Sequence, residues 1–289
     1  MTIDKKARPQ RGQLALVWRR LRRNRLAIVG LAIIITIVVV GFSAPHIAPY
    51  DPLKQNFRKL LQPLSAEHWL GCDQVGRDVL SRILHGAAMT LEIGLLAILI
   101  GLAFGTFLGL LGGYYGGLVD GCVVYLTDIL LAFPGLLLAL AVIAVLGPGM
   151  TSVILACSFS SIPQFIRVTR GMVLAEKEKD YVTAAISIGE RNHAIMFRYI
   201  LPNCVPALIV LLTLRMAIII LIASGLSFLG FGAQPPSPEW GAMLSEGRMY
   251  LQTAPHVAIF PGVAISILVL AFNLLGDGLR DALDPRMKI

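Results

Sequence analysis

Glu92, Asp128 and Arg215 are ionisable residues that fall inside or at the ends of long apolar runs. Such groups cost a few kcal/mol on insertion scales and face a bundle interior or a water-filled cavity. Glu92 is close enough to the end of its run to be solvated. Arg215 lies about ten residues into its run, so lining a translocation path and pairing with Asp128 are both open to it. Other candidates for chemistry do not assemble. The five histidines (His46, His68, His85, His193, His256) are scattered outside the apolar runs. The four cysteines (Cys72, Cys122, Cys157, Cys204) have neither CxxC nor Cys/His spacing, so no metal site or disulfide framework is expected. No HExxH, GxSxG or GxxxxGK[ST] string occurs. No catalytic residue is expected, and no bound cofactor. Without a phosphate loop, the energy for any transport has to come from a partner or an ion gradient.

The elements that would position these charges lie in a membrane. Of the 289 residues, 56% are hydrophobic and 15% charged, where a soluble domain carries roughly a quarter charged. Six spans are expected at about 26–44, 90–111, 123–146, 151–167, 205–230 and 257–275, which makes an all-α six-helix transmembrane bundle. The first run is longer than the apolar region of a signal peptide. An insert at 45–88 carries Pro45, Pro49, Pro52 and Pro63, a charged loop covers 168–204, and a short tail covers 276–289.

The net charge of +8 resides in residues 1–25, with nine basic residues against one acid. A basic cluster directly before an apolar run holds the N-terminus in the cytoplasm and also attracts anionic lipid. No nucleic-acid-binding module accompanies it. Six spans from a cytoplasmic N-terminus leave the C-terminus cytoplasmic as well. They put eighteen basic residues inside and six outside, as the positive-inside rule requires. The insert is then extracytoplasmic, with Cys72 open to an impermeant thiol reagent and Cys204 at the cytoplasmic boundary.

Two patterns stand out. Gly101, Gly105, Gly109, Gly113 and Gly117 recur every four residues, forming a slowly drifting helix face that lets another backbone approach closely. Static packing and a rocking contact both fit it. On the cytoplasmic side, Asp180-Tyr181-Val182-Thr183-Ala184-Ala185 suits a short helix with a small-residue face. Gly189 ends it as a C-cap does, and Pro202 punctuates the chain before the fifth span. Such a knob suits docking into a groove of another protein, and an ordinary solvated loop is the alternative.

This segment resembles the cytoplasmic EAA loop of ABC-importer permeases at Ala184, Ala185, Gly189 and Leu201-Pro202, with Thr183 in place of the usual glutamate. Three more stretches resemble the dipeptide, oligopeptide, nickel and glutathione permease subfamily, specifically its C-type member. They are His68-Trp69-Leu70-Gly71-Cys72-Asp73 with Gly76 to Arg82; Leu226 to Gly232 with Pro238-Glu239-Trp240-Gly241; and Phe272 to Asp281 with Leu283-Asp284-Pro285. Cys72 replaces a usual threonine, and Ala223 a frequent glutamate. The likeness spans about residues 15–287. It implies a bacterial or archaeal cytoplasmic membrane and a heterodimer with a second permease. It also implies two ATPases carrying ATP and Mg, and an extracytoplasmic solute-binding protein. Asp180, Tyr181, Ala184, Ala185, Gly189, Leu201 and Pro202 would then couple ATPase movement to the membrane. Peptides are the expected solute, with nickel complexes or glutathione as alternatives. A secondary transporter would show repeated halves with interrupted helices, and an intramembrane enzyme would need paired catalytic residues within the spans; neither is evident.

Overall fold

The computed structural model describes residues 20–283, and the regular structure among them is helical. Helix α1 (Arg25–Ile47) starts at Asn24, whose side chain accepts a hydrogen bond from the Ala27 amide at 3.2 Å. Helix α2 (Val79–Tyr115) is 37 residues long and begins well before the expected second span. Asp78 caps it, accepting from the Ser81 amide at 2.8 Å, so residues 79–88 are helix rather than insert.

The expected third span at 123–146 is not one helix. Helices α3 (Gly117–Ala132) and α4 (Gly135–Leu146) are bent by 94° at their junction. Proline drives the preceding residue out of the helical region, and Phe133 has φ −96° and ψ 135°. Helix α5 (Met150–Lys177) continues past the expected end at 167 and through Pro163. Its charged last turns find partners: Arg170 forks onto both carboxylate oxygens of Asp120, and Lys177 donates to the Tyr114 carbonyl at 2.8 Å.

After α6 (Asp180–Ser187), helix α7 (Asn192–Phe228) opens through a π-helical turn at Ile195–Ile200. The wide turn precedes Pro202 and Pro206, which cannot donate to the ladder. Helix α8 (Trp240–Gly247) is short, and α9 (His256–Leu283) absorbs residues 276–283 of the expected tail. Residues 284–289, and residues 1–19 of the basic segment, lie outside the described residues.

Among the described residues, five helices are long and apolar enough to cross a membrane, six when α3 and α4 count as one span. Gly149 donates to the Phe231 carbonyl at 2.9 Å, placing the start of α5 beside the end of α7. Arg20 donates to the Ala282 carbonyl at 3.2 Å, so the first and last described segments share the end that carries α6. The insert occupies the opposite end.

The most extensive helix pair is α2 with α5. Gly101, Gly105, Gly109 and Gly113 meet Ser161, Phe165, Thr169 and Val173, themselves four residues apart. A Cβ on Gly109 would stand 2.7 Å from the Ile166 carbonyl oxygen, and one on Gly113 2.8 Å from Val173 Cβ.

Candidate functional site

Helix α6 forms a small knob between α5 and α7. Asp180 supplies a carboxylate to its first turn, where the helix dipole favours negative charge. Its C-terminus closes as a Schellman motif: Gly189 donates to the Ile186 carbonyl at 3.0 Å, and Glu190 donates to the Ala185 carbonyl at 3.1 Å. Gly189 has φ +80°, the left-handed conformation glycine adopts without Cβ strain. Tyr181 faces the bundle. Its hydroxyl donates to Glu176 on α5 and accepts from Asn203 on α7 at 3.2 Å. Burial, and then that bond to a carboxylate, pushes the Tyr181 phenol up to about 12. Tyr199 donates to Glu190 at 3.3 Å, and Tyr114 at the end of α2 donates to Asn192 at 3.0 Å. The knob is therefore tied to α5 and α7, and the Tyr114 bond in turn ties the start of α7 to α2.

The two alanines do not share a face. Ala184 is exposed, whereas Ala185 is buried against the bundle beside Val182. Consecutive helical residues differ by 100°, so Ala185 contributes packing within the chain and leaves the outward face to its neighbours. The outward surface is Thr183, Ala184, Ile186 and Ile188, with Ile188 75% exposed. Pro202 is exposed just beyond, and Leu201 turns towards α2.

Asp128 and Arg215 are not brought together. Asp128 on α3 lies 3.7 Å from Arg167 on α5, both largely exposed. Arg215 is half-buried midway along α7.

The insert end holds a charged cluster that composition alone left unassembled. Asp73 accepts from Arg77 Nε at 2.5 Å and from Arg82, and Glu246 on α8 accepts from Arg77 at 2.7 Å and Arg82 at 3.0 Å. Arg82 also donates to the Ser237 carbonyl at 3.1 Å. His68 contacts Asp78 at 2.9 Å. Glu239 caps α8, its carboxylate accepting from the Gly241 and Ala242 amides at 2.8 Å each. Burial pushes the Glu239 carboxyl above the ordinary glutamate range, against the pull of those amides. Trp240 donates to the Ile83 carbonyl at 3.0 Å and packs on Gly86. The stretches 68–82 and 237–246 thus form one joint that fixes α8 onto the head of α2. The signal available in the sequence was the run Arg77-Asp78 to Arg82 in an otherwise apolar chain.

Cys72 sits inside this joint, fully buried, and burial pushes its thiol up to about 11. Cys204 is buried as well, and Cys122 is exposed. Impermeant-reagent labelling therefore does not discriminate Cys72 from Cys204 as the linear topology suggested. A maleimide at neutral pH should modify Cys122 in the folded protein, with Cys72 reacting only after denaturation. Peptide mapping of labelled sites checks this; rapid modification of native Cys72 would contradict the buried joint.

Residues 101–289 match the family model described as binding-protein-dependent transport system inner membrane component. Residues 12–63 match the N-terminal TM domain of oligopeptide transport permease C. The glutathione transport system permease protein GsiD of Pectobacterium atrosepticum is 47% identical over 272 residues, covering 94% of this chain and 90% of that protein. GsiD of Escherichia coli O6:K15:H31 is 50% identical with the same coverage. Among solved structures, the inward-facing MetNI methionine ABC transporter superposes with a TM-score of 0.56 at 18% identity, covering 70% of this chain and 97% of that one. That likeness shows a shared fold. With several apolar helices and these relatives, the chain belongs to the binding-protein-dependent inner membrane component family and is a multi-pass permease subunit of an ABC importer in the cytoplasmic membrane.

Proposed function

We propose that the chain forms, with a second permease, the path for small peptides or peptide-like solutes, with the tripeptide glutathione foremost among them. Two ATPase subunits holding ATP and Mg lie beneath α6, and a solute-binding protein delivers solute to the insert end. The α6 end is cytoplasmic in this reading, as the basic-residue asymmetry requires; this chain binds no cofactor and hydrolyses nothing. The carrying observation is the knob itself, which is fixed to α5 and α7 yet presents Ile186 and Ile188 to solvent. Exposed apolar side chains on a braced helix suit a groove on a partner. The solute class rests on relatives at 47% and 50% identity that are named for glutathione transport.

Reconstitution with the partner subunits and the binding protein tests this, offering labelled glutathione, di- to hexapeptides and nickel separately. ATP-dependent uptake of glutathione or peptides is expected. Uptake of nickel alone would overturn the solute, and uptake driven by an ion gradient without ATP would overturn the class. Ile188→Asp should leave the chain folded and abolish solute-stimulated ATP hydrolysis. Gly189→Val, forced to hold φ +80°, should strain the Schellman turn by about 1–2 kcal/mol and lower uptake per ATP hydrolysed. Normal coupling in both variants would remove α6 from the mechanism. Ala185→Asp should instead reduce the amount of folded protein, since its carboxylate would be buried without a partner.

A further inference from the structure

Arg215 differs from the arginines that join the helices to one another. Arg77, Arg82, Arg167 and Arg170 each meet a carboxylate, whereas Arg215 has no hydrogen bond or ion pair among the described residues. It stands 13 residues from the Phe228 end of α7, about 20 Å at the helical rise. An arginine stays charged in any protein environment. At this depth it does not face acyl chains without a partner.

Its face can be traced. Leu201, Leu208 and Arg215 are seven residues apart, a spacing that drifts by only about 20° on a straight helix. Leu201 and Leu208 line a groove of about 410 Å³ between α7 and α2, with Leu102 and Thr106 on the opposite wall. Thr106 Oγ1 is buried and lacks a hydrogen-bond partner among the described residues. A Cβ on Gly94 of α2 would stand 2.9 Å from Met216 Cε, so the two helices remain side by side at the level of Arg215. Above the groove, Glu92 continues the α2 face at seven-residue spacing from Leu99 and Thr106, and it is exposed. One face therefore carries a smooth apolar wall, a mid-span cation, and an anion nearer the insert end.

We propose that this α2/α7 face is the wall of the translocation path and that Arg215 reads the carboxylate of the solute as it crosses. The inference rests on the peptide or glutathione reading above. Glutathione offers two carboxylates and one ammonium, complementary to Arg215 and to Glu92. A single fixed cation on an otherwise smooth wall binds transiently, and conduction requires binding strong enough for entry and weak enough for release.

The test uses the complete importer in proteoliposomes, each solute presented at saturation of the binding protein. Glutathione is compared with its C-terminal amide, and Arg215→Gln and Arg215→Lys with the wild type. Wild type should move the acid faster than the amide. Arg215→Gln should slow the acid about tenfold, the loss expected for one charged hydrogen bond, and leave the amide unchanged. Arg215→Lys should retain intermediate selectivity. Equal losses for acid and amide would overturn the proposal. So would failure of Arg215→Gln to co-purify with the second permease, which would make Arg215 an inter-subunit ion-pair member. Wild-type uptake of nickel alone would defeat the peptide reading and this proposal together, whereas glutathione uptake with unaltered selectivity in Arg215→Gln would defeat this proposal only.

Discussion

Asp73→Asn is expected to destabilise the folded permease by about 3–5 kcal/mol, the loss typical of removing one partner from a buried ion pair. Asp73 is 2% exposed, and Arg77 and Arg82 are 2% and 1% exposed, so water cannot replace the lost charge. The asparagine carbonyl can still accept from the Val75 and Arg77 amides, which Asp73 holds at 3.0 and 2.9 Å. Its NH2 group, however, would turn towards the two guanidinium groups. Glu246 alone would then balance two buried cations. The consequence reaches the fold because this cluster joins α8 and the Ser237 carbonyl to α2. Restoring neutrality should recover much of the loss: Asp73→Asn combined with Arg82→Met leaves Arg77 paired with Glu246 at 2.7 Å. The two changes share one network, so their effects should be non-additive. Denaturation of the purified protein in mild detergent, with all four members of the double-mutant cycle in parallel, measures this. A loss below about 1 kcal/mol for Asp73→Asn, or additivity in the cycle, would show that the charges are solvated and the joint is weaker than its geometry indicates.

How far the sequence led is clearest at the residues where it stopped. Apolar length pointed to five helices long enough to cross a membrane and to the bent pair α3 and α4, because hydrocarbon admits no unsatisfied backbone. It misplaced the ends of α2 and α5, where charged turns remain helical: Arg82 and Arg170 are neutralised by Asp73 and Asp120. Hydropathy scores the charge and cannot see the partner. The bend at Phe133 was written in Pro134, but the surrounding apolar run masked it. For the knob, Gly189 announced the helix end correctly, since φ +80° is a local property of the backbone. The directions of Ala184 and Ala185 were not legible, because two identical side chains differ only by what α5 and α7 place behind them. Charge pairing was the least accessible feature. Arg82 and Glu246 are separated by 164 positions, and Asp128 chose Arg167 over Arg215 through the packing of α3 on α5. Local pattern thus fixes elements and turns, while pairing over long separations waits for the three-dimensional arrangement.

Gly105→Val should disrupt the α2/α5 pair, and even Gly105→Ala should lower stability, by about 1–3 kcal/mol from overpacking. A Cβ at Gly105 falls within the contact distance of Phe165 Cβ, 2.8 Å from the Ile162 carbonyl oxygen and 3.3 Å from the Ile166 amide nitrogen. Two of those atoms are backbone and cannot rotate away. Relief requires α2 and α5 to separate, which also loosens the contacts of Gly101, Gly109 and Gly113 along the same line. Dispersion is the principal attraction between helices in lipid, and it weakens steeply when surfaces part. Phe165→Ala should not rescue Gly105→Ala, because alanine retains the Cβ that is struck and leaves the Ile162 carbonyl in place. Gly121→Ala is the matched control: Gly121 is also helical, but nothing stands within 4 Å of its virtual Cβ. There the gain in helix propensity over glycine, up to about 1 kcal/mol, should leave stability unchanged or improved. Thermal midpoints in one detergent, read for the three single variants and the Phe165→Ala double, separate these outcomes. An unchanged midpoint for Gly105→Ala, or its rescue by Phe165→Ala, would mean that α2 and α5 are not in backbone contact at Gly105.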